Sequence, residues 1–192
     1  MTTAAERPRK QKTCSHCKTS FVPQRPMQKV CSPSCAMQLI SREAQKSNEL
    51  AKREERKAIR AAKEWAKTRG DWQREAQQAF NAYIRARDED LPCISCGRWH
   101  NGQWHAGHYL SVGARPNLRF DEQNCHKQCS VCNNHLHGNL VNYRRALIAK
   151  IGIDAVELLE CDQSVKKYSI DDLKAIKAEY TRKRREIEKG KS

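Results

Sequence analysis

Eight of the ten cysteines fall into two sets of close pairs: Cys14-x-x-Cys17 with Cys31-x-x-x-Cys35, and Cys93-x-x-Cys96 with Cys129-x-x-Cys132. Two pairs, each on a tight turn that aims both thiolates the same way, are what a tetrahedral structural zinc site requires. Both sets are read as zinc sites. His16 sits two residues from Cys14, where its geometry for the same ion is poor, and it is read as non-ligating. Cys125 and Cys161 stand outside both sets and read as buried free thiols, with Cys125 open also to a role as an alternative ligand.

Between the second set's pairs, and just beyond them, lie residues that could do phosphodiester chemistry. The chain reads Trp104-His105-Ala106-Gly107-His108-Tyr109, then Asn117-Leu118-Arg119-Phe120, then Asn124, and then Gln128-Cys129-Ser130-Val131-Cys132-Asn133 with His137 following. Hydrolysis of a phosphodiester needs a base for water, a cation for the developing charge, and a group that holds the base in place. His108 suits the base, because an ordinary imidazole pKa of about 6.5 lies close to working pH. Asn133 and His137 are four apart, so a helix starting after Cys132 would put them on one face, able to hold a divalent metal together. His105, three residues before His108, could add a ligand. Asn124 could orient the base or brace the loop that carries it. Arg115 and Arg119 could contact phosphate near the scissile bond, although Arg119 could equally pair with Asp121 or Glu122. Trp99 and Trp104 could stack on unpaired bases or pack on the zinc loops. The run Arg182-Lys183-Arg184-Arg185 reads as a backbone contact or a solvated helix end. The tail Gly190-Lys191-Ser192 echoes a phosphate loop, but Arg185 stands where that loop's first glycine belongs, so no nucleotide cofactor is indicated.

The rest of the chain must position these groups. Only 38% of its 192 residues are hydrophobic and 31% are charged, too little apolar material for one large core. Zinc binding contributes on the order of 10 kcal/mol or more to folding, which exceeds the net stability of an ordinary domain. The net charge of +15 is uneven. Residues 1–70 carry 17 Lys and Arg against 6 Asp and Glu, residues 71–160 carry 10 against 10, and residues 161–192 carry 10 against 6. Basic flanks around a neutral centre suit a polyanion, bound with strong salt dependence. No apolar run approaches the roughly 20 residues of a membrane span, and residues 1–12 lack a secretory signal. A cytoplasmic location follows, which favours metal over disulfide for the cysteine pairs.

Five segments are expected. Residues 1–12 form a disordered basic leader, residues 13–36 a zinc knuckle, and residues 37–70 a charged helix or linker. Residues 71–160 form the domain with the candidate site, and residues 161–192 a basic C-terminal helix. In the charged helix, Leu50, Ile59 and Trp65 are too sparse for a coiled-coil seam, leaving a solvated, DNA-facing or linker helix. A second helix opens at Gly70 or Asp71, and Trp72, Ala76, Ala79, Phe80, Tyr83 and Ile84 recur along it at helical spacing. Gly152 separates helices over 140–151 and 153–160. Ser169 and Asp172 form a capping pair for the last helix.

The order CxxC, GHY, N-x-R-F, N, QC-x-x-CN, GN, Y resembles the HNH (ββα-metal) nucleases with cysteine pairs framing the site. The resemblance implies that His108 activates water, Asn124 supports the geometry and Asn133 helps bind a catalytic magnesium, or manganese. The stretches LPCISCG, AGHY, LRF, VCN, GNLV and KAIKAEY are similar to the phage lambda NinG (Rap) recombination family, over about residues 71–180. That resemblance implies a structure-specific endonuclease acting on branched DNA such as D-loops and Holliday junctions. One position departs from the HNH pattern: Gly107 stands where many such sites carry an acidic or histidine ligand, and His105 is taken as its substitute. The expected fold is α+β, a small zinc-supported core with flanking helices. A homodimer is expected, since a four-way junction needs two symmetric cuts. The alternative is a non-catalytic zinc-containing DNA-binding protein, which shares the cysteines and charge but has no need of His108 or Asn133.

Overall fold

Residues 10–191 are described by a computed structural model of the chain; residues 1–9 of the expected leader lie outside them. The chain divides into two units, Met1–Ala66 and Lys67–Ser192.

In the first unit, strand β1 (Lys12–Thr13) pairs antiparallel with β2 (Ser20–Phe21). The turn between them closes through Cys14 N–H to Thr19 O at 2.9 Å and carries Lys18 in the left-handed region. Helix α1 spans Pro33–Trp65. It begins four residues before the expected start at 37, because Ser32 caps it by accepting from Cys35 N at 3.2 Å and Pro33 fits the first helical turn. Cys35 is therefore a helical residue. No α1 residue is buried. The helix is about 50 Å long and rests on Ala, Glu, Lys and Arg propensity and on local pairs such as Lys57–Glu54 at 2.8 Å.

In the second unit, helix α2 (Arg69–Arg87) starts earlier than its glycine suggests. Thr68 and Asp71 form a reciprocal capping box. The expected stripe is its buried face: Trp72, Ala76, Phe80, Tyr83 and Ile84, with Ala79 packed alongside. Helix α5 (Ile170–Gly190) covers that face, with Tyr180 edge-on to Phe80 at 4.8 Å between ring centres. Its cap is the expected Ser169–Asp172 pair.

Strands β3 (Trp104–His108) and β4 (Cys125–Cys129) form an antiparallel hairpin, with Trp104 opposite Cys129 and His108 opposite Cys125. Cys125 and Ala106 join the α2–α5 core. A second core gathers Tyr109, Leu118, Tyr143, Leu147, Val156 and Leu159 with helices α3 (Leu140–Ile151) and α4 (Ile153–Cys161). The hairpin thus lies between two small helical layers. Gly152, at φ 87°, makes the break between α3 and α4. Asp88 ties the layers together: it is nearly inaccessible, bonds Arg87 at 2.8 and 2.9 Å, and accepts from Lys127 N at 3.0 Å.

The architecture is mixed helix and small sheets with two four-cysteine clusters. One expectation is corrected. Cys161 is exposed, because the buried stripe of α4 is Val156 and Leu159 and position 161 falls off it. Cys125 is buried and belongs to neither cluster.

Candidate active site beside a four-cysteine cluster

The ligand atoms of Cys14, Cys17, Cys31 and Cys35 lie within 4.8 Å of one another, as do those of Cys93, Cys96, Cys129 and Cys132. All eight thiols are free, and Cys17–Cys31 and Cys31–Cys35 sulfur pairs stand at 3.5 and 3.6 Å. Four thiolates about 2.3 Å from one zinc would be roughly 3.8 Å apart, so both sets fit the ion. Burial resists ionisation of Cys14, but N–H groups of Cys31, Cys17 and His16 outweigh it and bring the thiol down to about 6, which favours the thiolate that zinc needs. In the second set, backbone N–H groups of Cys129 and Cys132 point at Cys93 and Cys129 sulfurs, and Asn139 Nδ2 donates to Cys132 at 3.5 Å. His100 Nε2 lies 3.2 Å from Cys96 Sγ. Such outer contacts orient ligands, and neither His100 nor Asn139 stands out by spacing alone.

His108 closes β3 where the hairpin meets the α2–α5 core. Its ring is 6.0 Å from Phe80, its Nε2 donates to the Arg119 carbonyl at 3.0 Å, and its Nδ1 is 3.7 Å from Cys125 Sγ. The Arg119 carbonyl fixes the tautomer, leaving the lone pair on Nδ1. Burial pushes the His108 pKa below the usual histidine value, so the ring is neutral near pH 7. Cys125 is held protonated by burial and makes only a weak S–H donor.

Asn124 is fully buried and braces the loop. Its Oδ1 accepts from Leu110 N at 2.8 Å, and its Nδ2 donates to Leu110 O at 3.0 Å and Leu118 O at 3.3 Å. Those bonds fix the segment leaving His108 against the segment bearing Arg119, so Asn124 acts on the base through backbone alone.

His108, Asn133 and His137 line one open cleft of about 540 Å³, with Ala106, Tyr109 and Gly138 in its walls. Asn133 and His137 reach it without a shared helix face, a correction to the sequence reading. A single wide π-type turn spans Val131–His135, and residues 137, 138 and 139 then all take positive φ. This unwinding turns the Gly138 carbonyl inward, where Gln128 Nε2 and Ser95 Oγ donate to it at 2.6 and 3.2 Å. His105 does not line the cleft. Strand alternation sends it to the hairpin face opposite His108, across from Gln128, with its Nε2 buried and unbonded.

Gly107 has a steric reason. A Cβ there would collide with Gln128 Oε1 and press on Asn133 Oδ1 at 3.0 Å. Tyr143 then seals the strand from behind, donating to Gly107 O at 2.9 Å. Among the described residues no third cluster of His, Cys, Asp or Glu could hold a metal, so the donors at the cleft are carboxamides and imidazoles.

The arginines read as phosphate contacts are tied to the protein. Arg115 reaches Gln163 and the Glu160 carbonyl, and Arg119 reaches Gln77 at 3.2 Å rather than Asp121 or Glu122. In the basic run, Lys183 bonds Glu122 at 2.7 Å, while Arg182 and Arg184 pair with Glu186 and Glu188. Arg185 borders an open groove with Trp72, Lys174 and Lys177. Trp104 packs on the second cysteine cluster, whereas Trp99 is 63% exposed.

A family model described as Bacteriophage Lambda NinG protein matches residues 6–190. "Protein ninG" of Salmonella phage P22 is 44% identical over 187 residues, covering 92% of each chain. "Protein ninG" of Escherichia phage lambda is 43% identical over 187 residues with the same coverage, and that of Escherichia phage 933W is 43% identical over 190 residues, 93% of this chain and 94% of the relative. No solved structure matches the chain. With its match running through both cysteine sets and the cleft between the hairpin and its turn, this chain belongs to the phage lambda NinG family.

Proposed function

We propose that this chain is a metal-dependent DNA endonuclease of the HNH type that cleaves branched recombination intermediates such as D-loops and Holliday junctions. The observation that carries the reading is the shared cleft, where a neutral imidazole, a carboxamide and a second imidazole converge beside a four-cysteine cluster. His108 takes the proton from water, its depressed pKa keeping the lone pair available near neutrality. Arg119 O holds the tautomer and Asn124 the loop. Asn133 and His137 would hold magnesium or manganese, which when bound neutralises charge on the phosphate and leaving oxygen. The thiol of Cys125 is what water must displace from Nδ1. Zinc in both cysteine sets is structural.

For DNA, Lys52, Arg53, Arg56, Lys57 and Arg60 border a groove along α1, and Arg185 joins Lys174 and Lys177 on α5. The preference for branched DNA rests on the family resemblance. So does action in the host cytoplasm; no helix of the described residues is long and apolar enough to cross a membrane. Two symmetric cuts call for a homodimer on a junction, and sedimentation finding only monomers there would count against it.

The rival reading is a non-catalytic zinc-containing DNA-binding protein. It draws on the fact that both His108 nitrogens already have protein neighbours. Zinc-loaded protein should, with magnesium, cut junctions and D-loops faster than plain duplex. Equal rates on all three would leave a nuclease without structural preference, and tight binding with no cleavage would favour the rival.

A further inference from the structure

Gln128 is fully buried on β4, three positions from the start of the strand. Its amide nitrogen is committed: Nε2 donates to Ser95 Oγ and Gly138 O, both at 2.6 Å. Because a carbonyl can only accept, Gly138 O fixes which end of the amide is nitrogen. The other end, Oε1, is buried and has no hydrogen-bond partner. A buried carbonyl oxygen left without a hydrogen bond is costly, so it calls for an occupant. This oxygen lies against Gly107 in the space where a side chain at 107 would begin, and Asn133 Oδ1 borders the same space. His105, directly across the hairpin from Gln128, adds an unpartnered buried Nε2 on the same face.

We propose that Gln128 Oε1 and Asn133 Oδ1 together ligate the divalent cation, Gln128 supplying from the neighbouring strand the oxygen that the missing side chain at position 107 cannot. The inference rests on the nuclease reading above and adds a ligand to Asn133 and His137, which that reading names. Two neutral carbonyl oxygens suit a hard cation such as Mg²⁺ or Mn²⁺. Magnesium usually keeps several waters and takes one or two protein carboxylates with substrate phosphate; here the two carboxamides would take the protein's oxygen positions and the phosphodiester would supply the negative charge. Gly107 follows from the same arrangement: any Cβ there would occupy the position of the Gln128 oxygen.

The test is paramagnetic broadening by Mn²⁺ in zinc-loaded, full-length protein, alone and with junction DNA, read at the side-chain amide signals of Gln128 and Asn133. Both should broaden at substoichiometric Mn²⁺, more strongly with DNA. Water-proton relaxation should show Gln128→Met weakening Mn²⁺ binding by about tenfold or more while two zinc ions per chain are retained. Gly107→Ala, which pushes both oxygens, should act in the same direction. Unchanged Mn²⁺ affinity in folded Gln128→Met, with Asn133 still broadened, would overturn the assignment of Gln128 while sparing the nuclease reading. A sharp spectrum at both amides, with and without DNA, would overturn both. If Gln128→Met does not fold, Gly107→Ala decides, and unchanged Mn²⁺ affinity there would overturn the assignment.

Discussion

Replacing Tyr143 by Phe removes one oxygen from a fully buried ring and nothing else. That hydroxyl donates to Gly107 O at 2.9 Å and lies 3.3 Å from His126 Nδ1. His126 is kept neutral, its pKa brought down to about 3 chiefly by burial, so its Nδ1–H can donate to the tyrosine oxygen while the tyrosine proton goes to Gly107. The variant leaves both groups unpaired inside the protein. A buried unpaired group costs about 1–3 kcal/mol, and Gly107 also sits in the strand pairing, so we take the low end for its carbonyl and expect a loss of roughly 3 kcal/mol. For a unit of this size, about 4 °C of melting temperature corresponds to each kcal/mol, giving a fall of roughly 12 °C. Thermal unfolding of the zinc-loaded variant, followed by near-ultraviolet circular dichroism, measures it. A fall worth less than about 1 kcal/mol would refute the idea that this hydroxyl closes a buried network behind the His108 strand.

Metal analysis should find two zinc ions per chain. Cys129→Ser should lose one and destabilise residues 67–192, whereas Cys31→Ser should lose one and leave the unfolding of that unit unchanged, because the first cluster belongs to the other unit. Arg87→Met should cost about 3 kcal/mol in urea unfolding, since it strips Asp88, 2% exposed, of its nearest countercharge. The pH profile of cleavage should fall on its acid limb at a midpoint below the ordinary histidine value of about 6.5: burial lowers the His108 pKa, so the base stays deprotonated further into acid. A midpoint above that value would assign the limb to another group.

Much of the frame was legible because it rests on local rules. Gly152 separates α3 from α4, Ser169 and Asp172 cap α5, the apolar spacing of α2 marks its buried face, and the cysteine pairs announce themselves by separation. Helices α1 and α2 start ahead of the charged and apolar patterns that mark them, because Ser32 and Thr68 capture the backbone first. The surroundings of the site were legible only in part. His108, Asn133 and His137 meet at one cleft, but through a π-type turn and left-handed residues that helical spacing does not anticipate. His105, expected as a further metal ligand, lies on the hairpin face opposite His108, as alternation along a strand dictates, and does not line the cleft. Gln128 stands in the QC-x-x-CN motif, but nothing in the sequence marks it as a ligand, because its relation to Gly107 exists only once β3 and β4 are paired. Arg115 and Arg119 lie in the stretch 115–119, but what binds their guanidinium groups is supplied by residues 42 or more positions away.

The most direct measurement is magnesium-dependent nicking of a four-way junction by zinc-loaded wild-type protein and by His108→Ala, with junction affinity recorded for both. A base at position 108 predicts that the variant binds as tightly yet cuts at least about a hundredfold more slowly. Equal nicking by the two proteins would contradict it.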